Sequence, residues 1–299
     1  MRNSSTVVYS IDHGEVGAEF YAQGGAVFPR FYTGGTWRSV LGNPQPFPAG
    51  DVLAIPFGTP VPTSLEPSAH FYHGYAANNL WTVTEITATE ICATIAYPET
   101  SAIERIDKHV YCDRGAVVVE DRVKARRKIR MPVGYSWVID LPDAPGSLNL
   151  TIPRGAFLES DPRQMAPSRI AKTVDFEESH YTEKCFASVS FPATQPGSDI
   201  VQIVNIDDGV LHLQLPGTGE TVSMMWDRDA LSHLMIHEHT GEEGQRHWVA
   251  LSAMQSIFDY GLDRCVEIHR TNAKYGRVAL RIEPDEPLEL SHWYTLHRE

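Results

Sequence analysis

Four cysteines in 299 residues, with no Cys-x-x-Cys spacing, are too few for a disulfide framework and wrongly placed for a zinc ribbon. Cys92, Cys112, Cys185 and Cys265 are therefore expected to be reduced and mostly buried. No apolar run approaches the roughly 20 residues of a membrane-spanning helix, and the first ten residues lack the apolar core of a signal peptide. The expected compartment is the cytoplasm. Positive charge is also scarce: 25 Lys and Arg stand against 38 Asp and Glu, a formal charge of −13. That field repels polyanions, so neither nucleic acid nor an anionic membrane is an expected partner. The one basic run, Lys124 to Arg130, alternates with apolar positions as a solvated strand face does, and an anion-binding patch is its secondary reading. No glycine-rich phosphate or dinucleotide fingerprint is present.

What is abundant is strand signal. Short β-branched or alternating runs recur from Val7 to Leu296, separated by Gly, Pro, Asn or Asp, and number thirteen or more. With 42% hydrophobic residues this predicts an all-β chain, a large antiparallel sandwich over residues 1–299 as one domain. Asp207-Asp208-Gly209 reads as a hairpin turn and Pro216 to Gly219 as the next. Ala250 to Asp263 is the only segment with helical content. Pro153 to Glu183 reads as a long connection.

Chemistry-bearing residues concentrate in His70-Phe71-Tyr72-His73-Gly74-Tyr75-Ala76-Ala77-Asn78-Asn79-Leu80-Trp81. Two imidazoles, two amides and a glycine that lets backbone approach a ligand mark it as the first candidate site. Each residue also has a plainer reading: His73 as a structural imidazole, Tyr72, Tyr75 and Trp81 as core, Asn78 and Asn79 as turn residues. Two further constellations are Met131 to Pro142, where Tyr135 and Trp137 share one face of a strand, and His237 to Trp248. In the latter His237-x-His239 with Glu243 has the spacing of the first cupin metal motif, but Leu231 and Ala250 replace the flanking glycines of that motif. A solvated hairpin explains the same residues.

Taken in order, Gly24-Gly25-Ala26-Val27, His73-Gly74 running to Trp81-Thr82-Val83, Met131-Pro132 to Leu141-Pro142 and Leu280 to Leu288 resemble the aldose 1-epimerases and their galactose mutarotase-like relatives. The resemblance implies a β-supersandwich with a sugar in an open cleft. It also implies a Glu base and a His acid, with a second His and an Asp holding the sugar. Exchanging anomers takes a proton from the anomeric hydroxyl and gives one to the ring oxygen, which asks for no metal or organic cofactor.

Carried onto this chain, the family's His-Gly histidine is His73. Tyr135 or Ser136 stands where the acid belongs, Ser252 where the base belongs, and Ile55 to Thr59 offers no counterpart to the family's arginine. The expected catalytic set is His73, Tyr135 and Asp227, with Asp229, Glu243, Asp259 and His237 as further substitutes for the base. The expected sugar contacts are His70, Tyr75, Asn78, Trp137 and His237, and no metal ligand is assigned. Three readings follow: an aldose 1-epimerase-like isomerase, a non-catalytic carbohydrate-binding relative, and a cupin-like metal enzyme.

Overall fold

The computed structural model describes residues 7–42, 49–140, 149–164, 168–170, 186–190, 196–214, 219–241 and 247–298. Two antiparallel sheets account for most of them. The first runs, edge to edge, β1 (Val8–His13), β2 (Val16–Tyr21), β3 (Ala26–Thr33), β5 (Gly50–Ala54), β11 (Val133–Asp140), β19 (Trp248–Gln255), β18 (His233–Thr240), β15 (Gly197–Ile206) and β13 (Gly155–Ser160). A short strand, β4 (Thr36–Ser39), pairs with β3. The second sheet runs β14 (Phe186–Ser190), β12 (Asn149–Pro153), β16 (Val210–Gln214), β17 (Glu220–Trp226), β21 (Leu288–Arg298), β9 (Ala116–Ala125), β8 (Ile103–Asp113), β7 (Glu90–Ala96) and β6 (Thr82–Ile86). β10 (Ile129–Met131) and β20 (Leu280–Ile282) form a separate ribbon.

The period-two pattern that predicts strands also decides what lies between the sheets. Along β8 and β9 alternate side chains, Ile106, Val110, Val117, Val119 and Val123, are fully buried while their neighbours reach solvent. Facing them from the first sheet are Leu53, Tyr135 and Trp137, all within one continuous apolar cluster. Charge is buried here too. Lys108 Nζ meets Asp121 Oδ2 at 2.9 Å, and His292 Nε2 meets Asp51 Oδ2 at 2.5 Å, with every partner at most 2% exposed.

Two expectations are corrected by this topology. Ala250 to Asp263 is not helical: its first half is β19, and the helix, α1, runs Leu262–Thr271 instead. β19 lies between β11 and β18 and is covered on both faces, so its run of apolar residues carries no alternation to read. The supposed connection after Pro153 contains β13, an edge strand paired to β15. The Asp207 to Gly209 turn does join β15 to β16, whereas residues 215–218 of the next expected turn, and Cys185, lie outside the described residues. The other three cysteines are free, Cys112 and Cys265 buried and Cys92 half-buried. Among the described residues no helix is long and apolar enough to cross a membrane.

Candidate functional site

Because β11 alternates, Tyr135 and Trp137 point between the sheets and Ser136 points to the opposite, outer face. The β11–β19 register places Ser136 across from Ser252, and their hydroxyls lie 3.4 Å apart, both buried. Met235 pairs with Ser252 on the next strand and His237 with Ala250, so Met235 and His237 share this outer face. Ala54, Phe57, Met235 and Met254 form a small apolar cluster distinct from the main core. This patch underlies the candidate site.

The His73 loop covers it. Ile55 and Gly74 form a parallel bridge, and a Cβ on Gly74 (φ +83°) would lie 2.0 Å from the Ile55 carbonyl oxygen, so only glycine fits. His73 itself takes a left-handed φ of 59°. Its backbone N–H donates to the Gly58 carbonyl at 2.9 Å, and the Gly58 N–H donates to His73 Nδ1 at 3.2 Å. Nδ1 is therefore an acceptor, and the proton of the neutral ring sits on Nε2. Rings of Tyr72 (centroids 4.0 Å apart) and Phe57 (4.7 Å) flank it. Burial lowers the His73 pKa to about 4, against the opposing pull of Asp259, while His237 adds to the lowering.

His237 has the same character: burial, opposed by Asp259 and aided by His239, brings its pKa to about 4. The indole of Trp248 meets its ring edge-on at 4.9 Å and stacks on His239 at 5.4 Å. Asp259 reaches the cleft from the chain beyond β19. Thr59 N donates to its carbonyl at 2.7 Å, and its carboxylate pairs with Arg163. Arg163 also grips Asp161 through Nε (2.9 Å to Oδ2) and Nη2 (2.5 Å), and lies over the Tyr260 ring at 4.6 Å. A shallow hollow of about 380 Å³ beside this group is lined by Thr59, Arg163, Tyr260 and Arg264.

The structure thus brings together His73, His237 and Asp259, and separates the rest of the expected set from them. Tyr135 is fully buried on the core side: its hydroxyl donates to Asp121 Oδ2 at 2.9 Å and its ring lies 4.0 Å from that of His292. Burial and the charges of Asp121 and Asp51 push its pKa far up, so it is no cleft acid. Trp137 is likewise core, packed on Trp226 and Tyr294. Asp227 follows β17 of the second sheet, where its Oδ1 accepts from Asp229 N at 2.8 Å and closes a turn. It lines a hollow of about 840 Å³ on that sheet, whose charges are already matched: Arg105 with Asp107 (3.0 Å) and Arg122 with Glu289 (3.6 Å). Such pairing is that of a solvated sheet face.

Within the loop, three of the expected sugar contacts also make contacts with the chain itself. Asn78 Nδ2 donates to the carbonyls of Tyr72 (2.6 Å) and Gly74 (2.7 Å), His70 Nε2 lies 3.1 Å from the Ser64 carbonyl, and Tyr75 packs on Phe71 and Tyr97. Gly58, Thr59, Asp161 and Arg163 were not legible as site residues, and Trp248 was legible only as the end of the His237 to Trp248 constellation. Phe57-Gly58-Thr59 between two prolines, and Asp161-Pro162-Arg163, were the only local signals. Of the residues with cupin-like spacing, His239 has its Nδ1 3.0 Å from Ser198 Oγ and its ring stacked on Trp248. Among the described residues no three His, Cys, Asp or Glu side chains converge on a metal position, and Glu243 lies outside them.

No family model matches this sequence, and no curated protein matches it. Solved structures do. A candidate aldose 1-epimerase from Escherichia coli K12 superposes with a TM-score of 0.71 at 13% identity, covering 99% of this chain and all of that one. A galactose mutarotase-like protein from Lactobacillus casei ATCC 334 gives 0.64 at 10% identity, over 97% of this chain and 100% of that one. An aldose epimerase homologue from C. elegans gives 0.62 at 10%, over 98% and 99%. The chain has the galactose mutarotase-like fold, as the ordered sequence resemblance implies. At such identities the likeness carries the fold and not the substrate.

Proposed function

We propose that this chain is an aldose 1-epimerase-like protein that holds a small carbohydrate on the outer face of its first sheet, with His73 donating to a sugar oxygen from Nε2. The observation that carries this reading is the clamp between Gly58 and His73, which fixes one tautomer of a neutral imidazole beside His237 and Asp259. A neutral N–H, an imidazole, a carboxylate and the aromatic faces of Tyr72 and Trp248 suit a polyhydroxylated ring: hydrogen bonds to hydroxyls and apolar contact with C–H groups.

Binding is favoured over turnover by Ser136 and Ser252. By the sequence resemblance Tyr135 or Ser136 stands where the acid belongs and Ser252 where the base belongs; with Tyr135 turned into the core, two hydroxyls are left, and these cannot exchange protons with a sugar as a carboxylate and an imidazole do. A second reading, anomer exchange, rests on the electrostatic influence of Asp259 on His237. In it Asp259, held by its ion pair with Arg163, takes the anomeric proton while His237 serves the ring oxygen.

One experiment separates them. Saturation-transfer NMR across a panel of aldoses detects binding, and magnetisation exchange between anomers in the same samples detects turnover. Binding that His73→Ala abolishes, with exchange at the buffer rate, supports the first reading. Exchange above buffer that Asp259→Asn or His237→Asn removes establishes the second. Failure to bind any sugar in the panel eliminates both.

A further inference from the structure

The edge of the sandwich where β15 and β18 pair holds a polar group that the sugar site does not use. Asp199 of β15 lies directly across from Glu238 of β18, and Thr240, two residues on, faces the same side as Glu238. These side chains point between the sheets, opposite to His237 and His239. All three residues are at most 3% exposed. Asp199 Oδ2 accepts from Ser168 Oγ (3.0 Å), Arg169 N (2.6 Å) and Ile170 N (2.8 Å), and Glu238 Oε2 lies 3.4 Å from Arg169 Nη2. Their other oxygens, Asp199 Oδ1 and Glu238 Oε1, are buried without a hydrogen-bond partner, and so is Thr240 Oγ1.

We infer that Asp199 Oδ1, Glu238 Oε1 and Thr240 Oγ1 form a binding site for a hard, oxygen-coordinated metal cation, remote from the sugar cleft. Three observations carry it. Among the described residues the one guanidinium near the two carboxylates is that of Arg169, which reaches Glu238, while Asp199 is held by hydroxyl and backbone N–H groups, and a buried charge is costly unless matched. Asp199 and Glu238 stand directly across the ladder from each other, yet each keeps one buried oxygen without a hydrogen-bond partner. The donor set is oxygen only, with no thiolate or imidazole, which selects ions of the Ca²⁺ and Na⁺ class over zinc or copper. Asp199 also anchors residues 168–170 through its other oxygen, so the ion would brace that segment against β15.

The test uses the full chain after dialysis against a chelator, titrated calorimetrically with Ca²⁺, Mg²⁺, Na⁺ and K⁺ chlorides, with the thermal midpoint followed in parallel. Saturable binding of one ion per chain is expected for Ca²⁺ or Na⁺, together with a raised midpoint. Glu238→Gln and Thr240→Val, each checked for native circular dichroism, should weaken that binding about tenfold or more. If Glu238→Gln does not fold, Thr240→Val, which keeps the shape and both charges, decides alone. No saturable binding of any of the four ions by the folded wild type overturns the inference, as does affinity unchanged in the folded variants. An infrared band of a protonated carboxyl at pH 7 that vanishes in Glu238→Gln also overturns it, because a shared proton would then fill the place assigned to the ion.

Discussion

Gly58 and His73 are hydrogen-bonded to each other twice, once from the Gly58 N–H to the imidazole Nδ1 and once from the His73 N–H to the Gly58 carbonyl. The pair spans fifteen residues of chain and converts a flexible loop histidine into a fixed donor. Gly58 can do this because its φ is +105°, and a Cβ there would lie 2.6 Å from the carbonyl of Asp259. The same residue therefore sets both His73 and the approach of Asp259.

Gly58→Ala is accordingly expected to cost about 1–3 kcal/mol of stability through backbone strain. It should also lower sugar affinity, since the clamp and the Asp259 backbone must both shift. Urea unfolding and sugar titration of the same preparation check the two effects.

The pH dependence follows from the direction of the histidine shifts. His73, His233 and His237 each fall from 6.5 to about 4, with burial the first cause. Below pH 6.5 the unfolded chain binds protons that the folded chain refuses, so stability is full above pH 6.5 and is lost as pH falls towards 4. For His73 alone the loss amounts to about 3 kcal/mol. Urea unfolding between pH 7 and pH 4.5 should show a shallower decline for His73→Asn than for the wild type. Sugar affinity should stay level from pH 8 to 5, because the Nε2 proton is present throughout.

Tyr135→Phe discriminates core from cleft. Loss of the hydroxyl that donates to Asp121 should cost about 1.5–3 kcal/mol in unfolding free energy, the range for a hydrogen bond to a charged group. Sugar binding should be unchanged. A selective loss of affinity with unaltered stability would return Tyr135 to the site.

Lys108→Met removes the cation from a fully buried pair and leaves Asp121 with the Tyr135 hydroxyl alone. An uncompensated buried carboxylate predicts a loss of about 3–5 kcal/mol, visible as a lowered denaturation midpoint. The double variant Lys108→Met with Asp121→Leu should recover much of it.

The features legible in the sequence are those whose constraint is local. The His73-Gly74 pair works because Gly74 passes within contact of Ile55, and glycine is the sequence mark of such an approach. Tyr135 and Trp137 were rightly put on one face of a strand, but period-two alternation does not say which face is the core. Asn78 reads in the sequence as a turn residue or a ligand contact, and its amide braces two loop carbonyls, an arrangement with the same sequence signature as an amide that bonds a sugar.

The sequence by itself determined the architecture: alternating apolar residues and turn signals leave little choice but paired antiparallel strands, and the order of a few segments pointed to the mutarotase-like fold. Only the tertiary structure decided which residues meet at the candidate site. Gly58, Arg163, His237 and Asp259 lie up to two hundred positions apart and meet because strand pairing brings distant loops over one face of one sheet. That meeting is a property of register, which no local pattern around any one of these residues encodes.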